Sequence, residues 1–226
     1  MTAPDGALAE RLAAVRQRVT DAARAADRDP ATITTIVVTK FHPASLVRSL
    51  AGLGVRDVGE NRHQEASAKA AELADLPLTW HFIGQLQSNK ARAVRRYAAV
   101  VHSVDRASVL DALAGDEPLD VLLQVNLTDD PGRGGVAPDA VERLAERAVA
   151  TRGIRLRGLM AVAPLGEPAR PAFARVRELG ERVRAIEPEA SALSMGMSGD
   201  FADAIAEGAT HLRIGTAITG NRPPQP

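Results

Sequence analysis

A chain of 226 residues with 45% hydrophobic and 25% charged content is long enough for one large domain with a sizeable core. Its 28 lysines and arginines balance 28 aspartates and glutamates, so there is no net basic charge to track a nucleic-acid backbone. The absence of cysteine excludes disulfides, thiolate metal sites and a catalytic thiol, and no apolar run approaches the ~20 residues of a membrane span. The opening segment MTAPDGALAERLAAV lacks a basic stretch followed by an apolar one, so a cytoplasmic protein is expected.

Residues 7–26 place Leu8, Leu12, Val15, Val19 and Ala23 at intervals of four, three, four and four, which predicts an amphipathic helix. After Pro30 the period changes. Short apolar runs at 33–39, 55–60, 80–84, 99–104, 119–127, 154–162, 192–196 and 210–215 predict eight strands. Helical segments near 43–53, 62–74, 88–96, 106–114, 138–151, 169–186 and 200–207 fall between them or close to their ends. Alternating strands and helices imply right-handed crossovers on a parallel sheet, and eight such units close into a (β/α)8 barrel with an extra N-terminal helix. The alternative, an open doubly wound sheet, lacks its glycine-rich turn, because the first strand runs into KFHPAS and no G-x-G-x-x-G opens a helix. The expectation is therefore one barrel domain over 1–226, with 1–28 packed on it as a helix and 222–226 frayed.

In a parallel barrel the site lies at the C-terminal ends of the strands. The first strand finishes on Lys40, the second on Glu60 and Asn61, the third is followed by Gln85, Gln87 and Asn89, and Asn126 lies near the end of the fifth. Strand alternation puts Lys40 on the face of Val38 and Ile36. Taken alone, a lysine leaving a strand simply meets solvent.

The last two strands supply its context. In SMGMSGDFADAIAEG, Ser198 and Gly199 precede a short helix closed by Gly208, so Ser198 is a candidate N-cap beside free backbone N–H groups. HLRIGTAITG then ends the eighth strand on Gly215 and Thr216. Two such turns, after strands seven and eight, match the recurrent phosphate site of barrels. Arg213, opposite in direction to Leu212 and Ile214, points into the barrel if those two face the helices; it then serves either a ligand or a buried salt bridge, with Glu60 as a candidate partner. A lysine, a phosphate cup and an inward arginine suit a phosphorylated aromatic aldehyde such as pyridoxal phosphate.

The stretches VVTK, GENRHQE, HFIGQLQSNK, GLMAVAP and LSMGMSGDFADAIAEGATHLRIGTAITG span nearly the whole chain in order. Together they resemble the YggS/PROSC family of pyridoxal-phosphate homeostasis proteins. The resemblance implies a barrel like the alanine racemase N-terminal domain, with pyridoxal 5'-phosphate held as an internal aldimine on Lys40. It also implies that Ser198, Gly215 and Thr216 take the phosphate, that Arg213 faces the ring nitrogen and that Asn61 lines the pocket. The chain departs from the family at Val58, His63, Thr219 and Arg133. The family commonly carries lysine at the last of these, and a guanidinium is a poor carbonyl nucleophile, so a second aldimine in DPGRGGV is not expected.

The same residues predict binding rather than catalysis. Lysine condenses with an aldehyde only as the free amine, a form that apolar surroundings and a neighbouring cation favour. A guanidinium at the ring nitrogen disfavours its protonation and weakens the ring as an electron sink. A two-base racemase needs a second proton carrier, and the only tyrosine, Tyr97, lies at a helix end before the fourth strand. His81 and His211 are expected as hydrogen-bonded core residues and Lys69 and Lys90 as solvated helix residues, while His42 is nearest Lys40 in sequence. The expected protein is a monomer that holds and delivers pyridoxal phosphate, with transient apo-enzyme partners. A small amino-acid racemase and a sugar-phosphate enzyme using a Lys40 Schiff base are the alternatives.

Overall fold

The β-branched run Thr34–Val38 forms β1 at the start of a closed parallel barrel in the computed structural model, which describes residues 6–128 and 130–221. The expected helix start within 1–5 and the expected fraying of 222–226 lie outside the described residues. The other strands are β2 (Asp57–Glu60), β3 (Thr79–Phe82), β4 (Val100–Val104), β5 (Leu119–Val125), β6 (Ile154–Ala161), β7 (Ala192–Ser194) and β8 (His211–Ile214). They neighbour one another in sequence order, and the barrel closes where β8 pairs with β1 from Thr34↔His211 to Val37↔Ile214. All eight expected strands form, most of them shorter at an end than the apolar run suggested. Lys40 therefore stands two residues beyond β1, in the rim of the barrel rather than in its ladder.

The helices are α1 (Gly6–Ala25), α2 (Ala44–Gly52), α3 (His63–Glu72), α4 (Ser88–Val94), α5 (Ala107–Leu113), α6 (Val141–Val149), α7 (Ala169–Ile186), α8 (Phe201–Ala206) and α9 (Thr216–Thr219). The stripe Leu8, Leu12, Val15, Val19 and Ala23 is the buried face of α1, which lies against α8 and α9. Arg28, just past α1, donates to the carbonyls of Ile205 and Ala209 at 2.9 and 2.7 Å, and Arg11 of α1 to that of Ile218 at 2.8 Å, so the N-terminal segment is tied to α8 and α9. The four-residue α9 is too short to show a period, and the sequence reading ran past it. Among the described residues no helix is long and apolar enough to cross a membrane.

Alternation divides the core in two. Val37, Val58, Val101, Val121, Leu159 and Ile214 belong to the large apolar cluster between strands and helices. Ile36, Val38, Leu122 and Met160 are buried outside that cluster, on the barrel side of the same strands. Buried among the strands with them are polar residues, His81, His102, Ser194 and Arg213. Gly158, at φ +145°, sits where the β5–β6 register shifts, and a Cβ there would lie 1.9 Å from the Ala192 carbonyl oxygen.

Candidate functional site

The chain leaving β1 is clamped from both sides. Thr39 is buried and its hydroxyl donates to Glu60 Oε1 at 2.7 Å, while Lys69 Nζ donates to the Thr39 carbonyl at 2.9 Å and to the same Glu60 oxygen at 2.6 Å. Lys69, expected in solvent, is thus a buried ion-pair partner, because α3 lays it over the end of β2. Burial pushes the Glu60 carboxyl up from its ordinary value although Lys69 and Thr39 both donate to it. Two residues on, Phe41 adopts φ +68°, with its N–H donating to Glu65 Oε2 at 3.0 Å and its ring lying 5.9 Å from Lys40 Nζ and 5.0 Å from Arg62 Cζ. A non-glycine residue in the left-handed region is a place where local strain is held by surrounding contacts. Lys40 itself is half-buried, and among the described residues its ammonium has neither a hydrogen-bond nor an ion-pair partner.

Asn61 follows β2 on the same rim. Its Oδ1 is buried with no hydrogen-bond partner among the described residues, and so is Glu60 Oε2. Buried acceptors without donors are uncommon and mark places where a ligand or water completes the bonding. The β3 exit presses close behind: a Cβ on Gly84 would lie 2.1 Å from the Asn61 carbonyl oxygen.

After β7, Met197 N–H donates to Asp200 Oδ1 at 2.5 Å, and the N–H groups of Asp200 and Phe201 return to the Met197 carbonyl. The helix begins at Phe201 with Asp200 before it, so the expected capping role of Ser198 is not observed. Asp200 ties the turn instead and leaves the half-buried Ser198 hydroxyl unused. After β8, Gly215 precedes α9 and its carbonyl accepts from Ile218 and Thr219, with the exposed Thr216 as first helical residue. Among the described residues no acceptor faces the N–H groups of Ser198, Gly199, Thr216 or Ala217. The place a Cβ would take on Gly215 lies 3.5 Å from Val38 Cβ, and Arg213 N–H donates to the Gly196 carbonyl at 3.0 Å. The two turns are therefore neighbours, and the second lies beside the strand that delivers Lys40.

Arg213 points into the barrel, as alternation required. Its Nη1 donates to the Ser194 carbonyl and hydroxyl at 2.6 and 2.7 Å, and its Nη2 donates to the Ala161 carbonyl at 2.8 Å. The salt bridge with Glu60 considered for it does not form, since Glu60 is engaged by Lys69. Burial lowers the Arg213 guanidinium to about 10, which leaves it cationic at neutral pH. Behind it lies a buried series that sequence reading caught only in part: His102 Nδ1 is 3.0 Å from Ser194 Oγ, His102 Nε2 is 2.9 Å from His81 Nδ1, and His81 Nε2 is 3.0 Å from Asp57 Oδ1. His102 was missed; its signal was a histidine on the alternating run VVHSV. His211, at the foot of β8, bonds to the Thr210 hydroxyl at 2.8 Å.

Lys40, Asn61, Ser198, Arg213, Gly215 and Thr216 thus come from four consecutive neighbours around the barrel, β7, β8, β1 and β2, at or just past their C-terminal ends. Gln85, Gln87 and Asn89 stand exposed after β3. Asn126 is used internally, accepting from Thr128 and donating to the Asp130 carbonyl. Arg133 is exposed on a turn over Pro131–Arg133. Tyr97 lies in the helical layer, stacked on His63 with centroids 5.9 Å apart, and burial followed by the charge of Glu60 raises its hydroxyl above the ordinary value.

The profile of the alanine racemase N-terminal domain family matches residues 11–223. A pyridoxal phosphate homeostasis protein of Pseudomonas aeruginosa is 48% identical over 223 residues, covering 95% of this chain and 96% of that one. The structure of PipY of Synechococcus elongatus, determined with PLP bound, superposes with a TM-score of 0.82 at 38% identity, covering 94% of this chain and 100% of the other. Alanine racemase from Corynebacterium glutamicum shares the fold, with a TM-score of 0.72 at 16% identity over 94% of this chain and 60% of that one.

Proposed function

This chain belongs to the alanine racemase N-terminal domain family and, within it, groups with the pyridoxal phosphate homeostasis proteins; from that premise we propose that it binds pyridoxal 5'-phosphate (PLP) on Lys40 and delivers it without substantial catalysis. The observation that carries this reading is the half-buried Lys40 amine, free of hydrogen bonds and ion pairs among the described residues, beside two adjoining turns in which the Ser198 and Thr216 hydroxyls and neighbouring N–H groups face no acceptor among those residues. A dianionic phosphate suits those donors, and Asn61 adds a buried amide with bonding capacity to spare. When bound, PLP supplies an aldehyde that condenses reversibly with a primary amine and a conjugated ring that can draw electrons from it. Lys40 supplies the amine, and the Thr39–Glu60–Lys69 clamp fixes where it emerges. Ser198, Gly215 and Thr216 hold the phosphate, and Arg213 takes the ring nitrogen.

Arg213 also argues against turnover. As a fixed cationic donor it keeps a proton off the ring nitrogen, where an acid would place one. Tyr97 is engaged with His63 in the helical layer, and its raised pKa makes it a poor proton carrier at neutral pH. His42 is the residue near Lys40 that stays neutral most readily, its pKa lowered by burial and then by Lys69. We read the chain as one PLP-binding domain, a cytoplasmic monomer whose partners are apo PLP-dependent enzymes met transiently.

Two assays on the loaded protein test the reading. Loaded protein should reactivate an apo PLP enzyme, and it should not exchange the α-hydrogen of alanine or serine in deuterated water at enzyme-like rates. Rapid Lys40-dependent exchange would establish a racemase instead, with His42 or His81 the first candidates for the second base.

A further inference from the structure

Arg213 is a buried cation that forms no salt bridge among the described residues, although the Asp200 carboxylate acts on it through space, and four hydrogen bonds in series join it to a second carboxylate: Arg213–Ser194 at 2.7 Å, Ser194–His102 at 3.0 Å, His102–His81 at 2.9 Å and His81–Asp57 at 3.0 Å. The series runs through the barrel interior. Arg213 and Ser194 belong to the half near the proposed cofactor site, whereas Asp57 opens β2 at the opposite mouth, with its side chain 31% exposed.

The chemistry of the two ends favours one order of protons between them. A guanidinium can only donate and an ionised carboxylate can only accept. Ser194 Oγ accepts from Arg213, which leaves its own proton available to His102 Nδ1. His102 then carries its proton on Nε2 and donates to His81 Nδ1, and His81 carries its proton on Nε2 and donates to Asp57 Oδ1. Each donor in this order is used once. Burial holds His102 neutral, aided by the nearby His81, Arg213 and His211. His211 stands edge-on to His102 with centroids 6.3 Å apart but bonds to Thr210 and lies outside the series.

We infer that Ser194, His102, His81 and Asp57 are positioning residues, a one-way relay that orients Arg213 and sets its hydrogen bonding to the cofactor ring from the far mouth of the barrel. Hydrogen bonds in series polarise one another, so the charge state of Asp57 is felt at Ser194 Oγ and through it at Arg213. A purely structural polar layer would stabilise the barrel but would not distinguish one ring atom from another. The inference rests on the PLP reading, and specifically on Arg213 taking the ring nitrogen.

The test compares PLP with its 1-deaza analogue, in which carbon replaces the ring nitrogen, by measuring dissociation constants for the whole chain. Wild type should prefer PLP, and Arg213→Lys should reduce that preference. Asp57→Asn and Ser194→Ala should each cut it by about fivefold while affinity for the analogue changes by less than about twofold, as expected when a charge-assisted bond is weakened but not removed. If Arg213→Lys weakens both ligands alike, the assignment of the ring nitrogen to Arg213 is wrong. If Arg213→Lys discriminates but the relay variants weaken both ligands equally or neither, the relay is structural and the inference is overturned. Asp57 is partly exposed, so Asp57→Asn decides the matter even if Ser194→Ala fails to fold.

Discussion

Lys40 and Lys69 show how little residue type says without surroundings. One emerges at the rim of the barrel over the Phe41 ring, without a hydrogen bond or ion pair among the described residues, and the other is buried against Glu60 and the Thr39 carbonyl. An amine tied into a buried ion pair is a poor nucleophile, because reaction would strand the carboxylate. Borohydride treatment of protein loaded with PLP should therefore fix pyridoxyl mass on the peptide containing Lys40; recovery mainly on Lys69 or Lys90 would reverse the assignment. Among the described residues Ser198 and Thr216 make no side-chain bonds that loss of their hydroxyls would break, so their value should show only with a phosphate present. Charge-assisted bonds of about 1.5–3 kcal/mol each imply at least tenfold weaker PLP binding for the Ser198→Ala, Thr216→Ala double variant. Affinity for unphosphorylated pyridoxal should hardly change. Equal loss for both ligands would put the phosphate cup elsewhere.

At the scale of elements, the β1 exit is held by residues of β2 and α3 rather than by its own ladder. Glu60 ends β2, Lys69 lies on the buried stripe of α3, and Glu65 on the same helix receives the Phe41 N–H. Removing one member of a buried ion pair typically costs about 3–5 kcal/mol, since the other charge is left uncompensated. Lys69→Met should lower the unfolding free energy from urea titration by that order, with a lower midpoint, and loosen PLP as well, because the Thr39 carbonyl loses its donor. A variant with unchanged midpoint and affinity would show that the clamp does not govern the exit.

The whole barrel should respond to acid through its buried histidines. His211 is held down to about 4 and His102 well below its ordinary value, both by burial first. A histidine whose folded pKa lies below its unfolded value of about 6.5 contributes full stability above that value, and the contribution is lost as pH falls, since the unfolded chain then binds more protons. For His211 the loss between about pH 6.5 and 4 is on the order of 3 kcal/mol, at about 1.4 kcal/mol for each unit. Glu60, raised by burial, acts in the opposite sense but is one carboxyl against two imidazoles. Chemical denaturation at pH 7 and pH 4.5 should show lower stability at the acid pH, with the difference reduced in His211→Met. A flat profile would mean that the histidines are not neutral in the folded chain.

The sequence by itself determined the architecture, because eight short apolar runs alternating with helical stripes leave a parallel sheet few ways to end other than by closing. It also placed Lys40, Asn61, Ser198, Gly215 and Thr216 past strand C-termini and Arg213 near the end of the eighth strand, toward one mouth of the barrel. Tertiary structure decided what each of these residues is free to do. Ser198 looked like a cap until Asp200 was seen to tie the turn, and a local pattern cannot rank two adjoining polar residues that compete for the same N–H groups. Lys69 falls on the stripe of Ala66 and Leu73, a visible warning, but only the fold brings Glu60 over it. The relay behind Arg213 draws one residue each from β2, β3, β4, β7 and β8. Alternation predicts that such side chains turn inward. Which of them touch is set by strand register around the closed barrel, a long-range property that no short stretch of sequence contains.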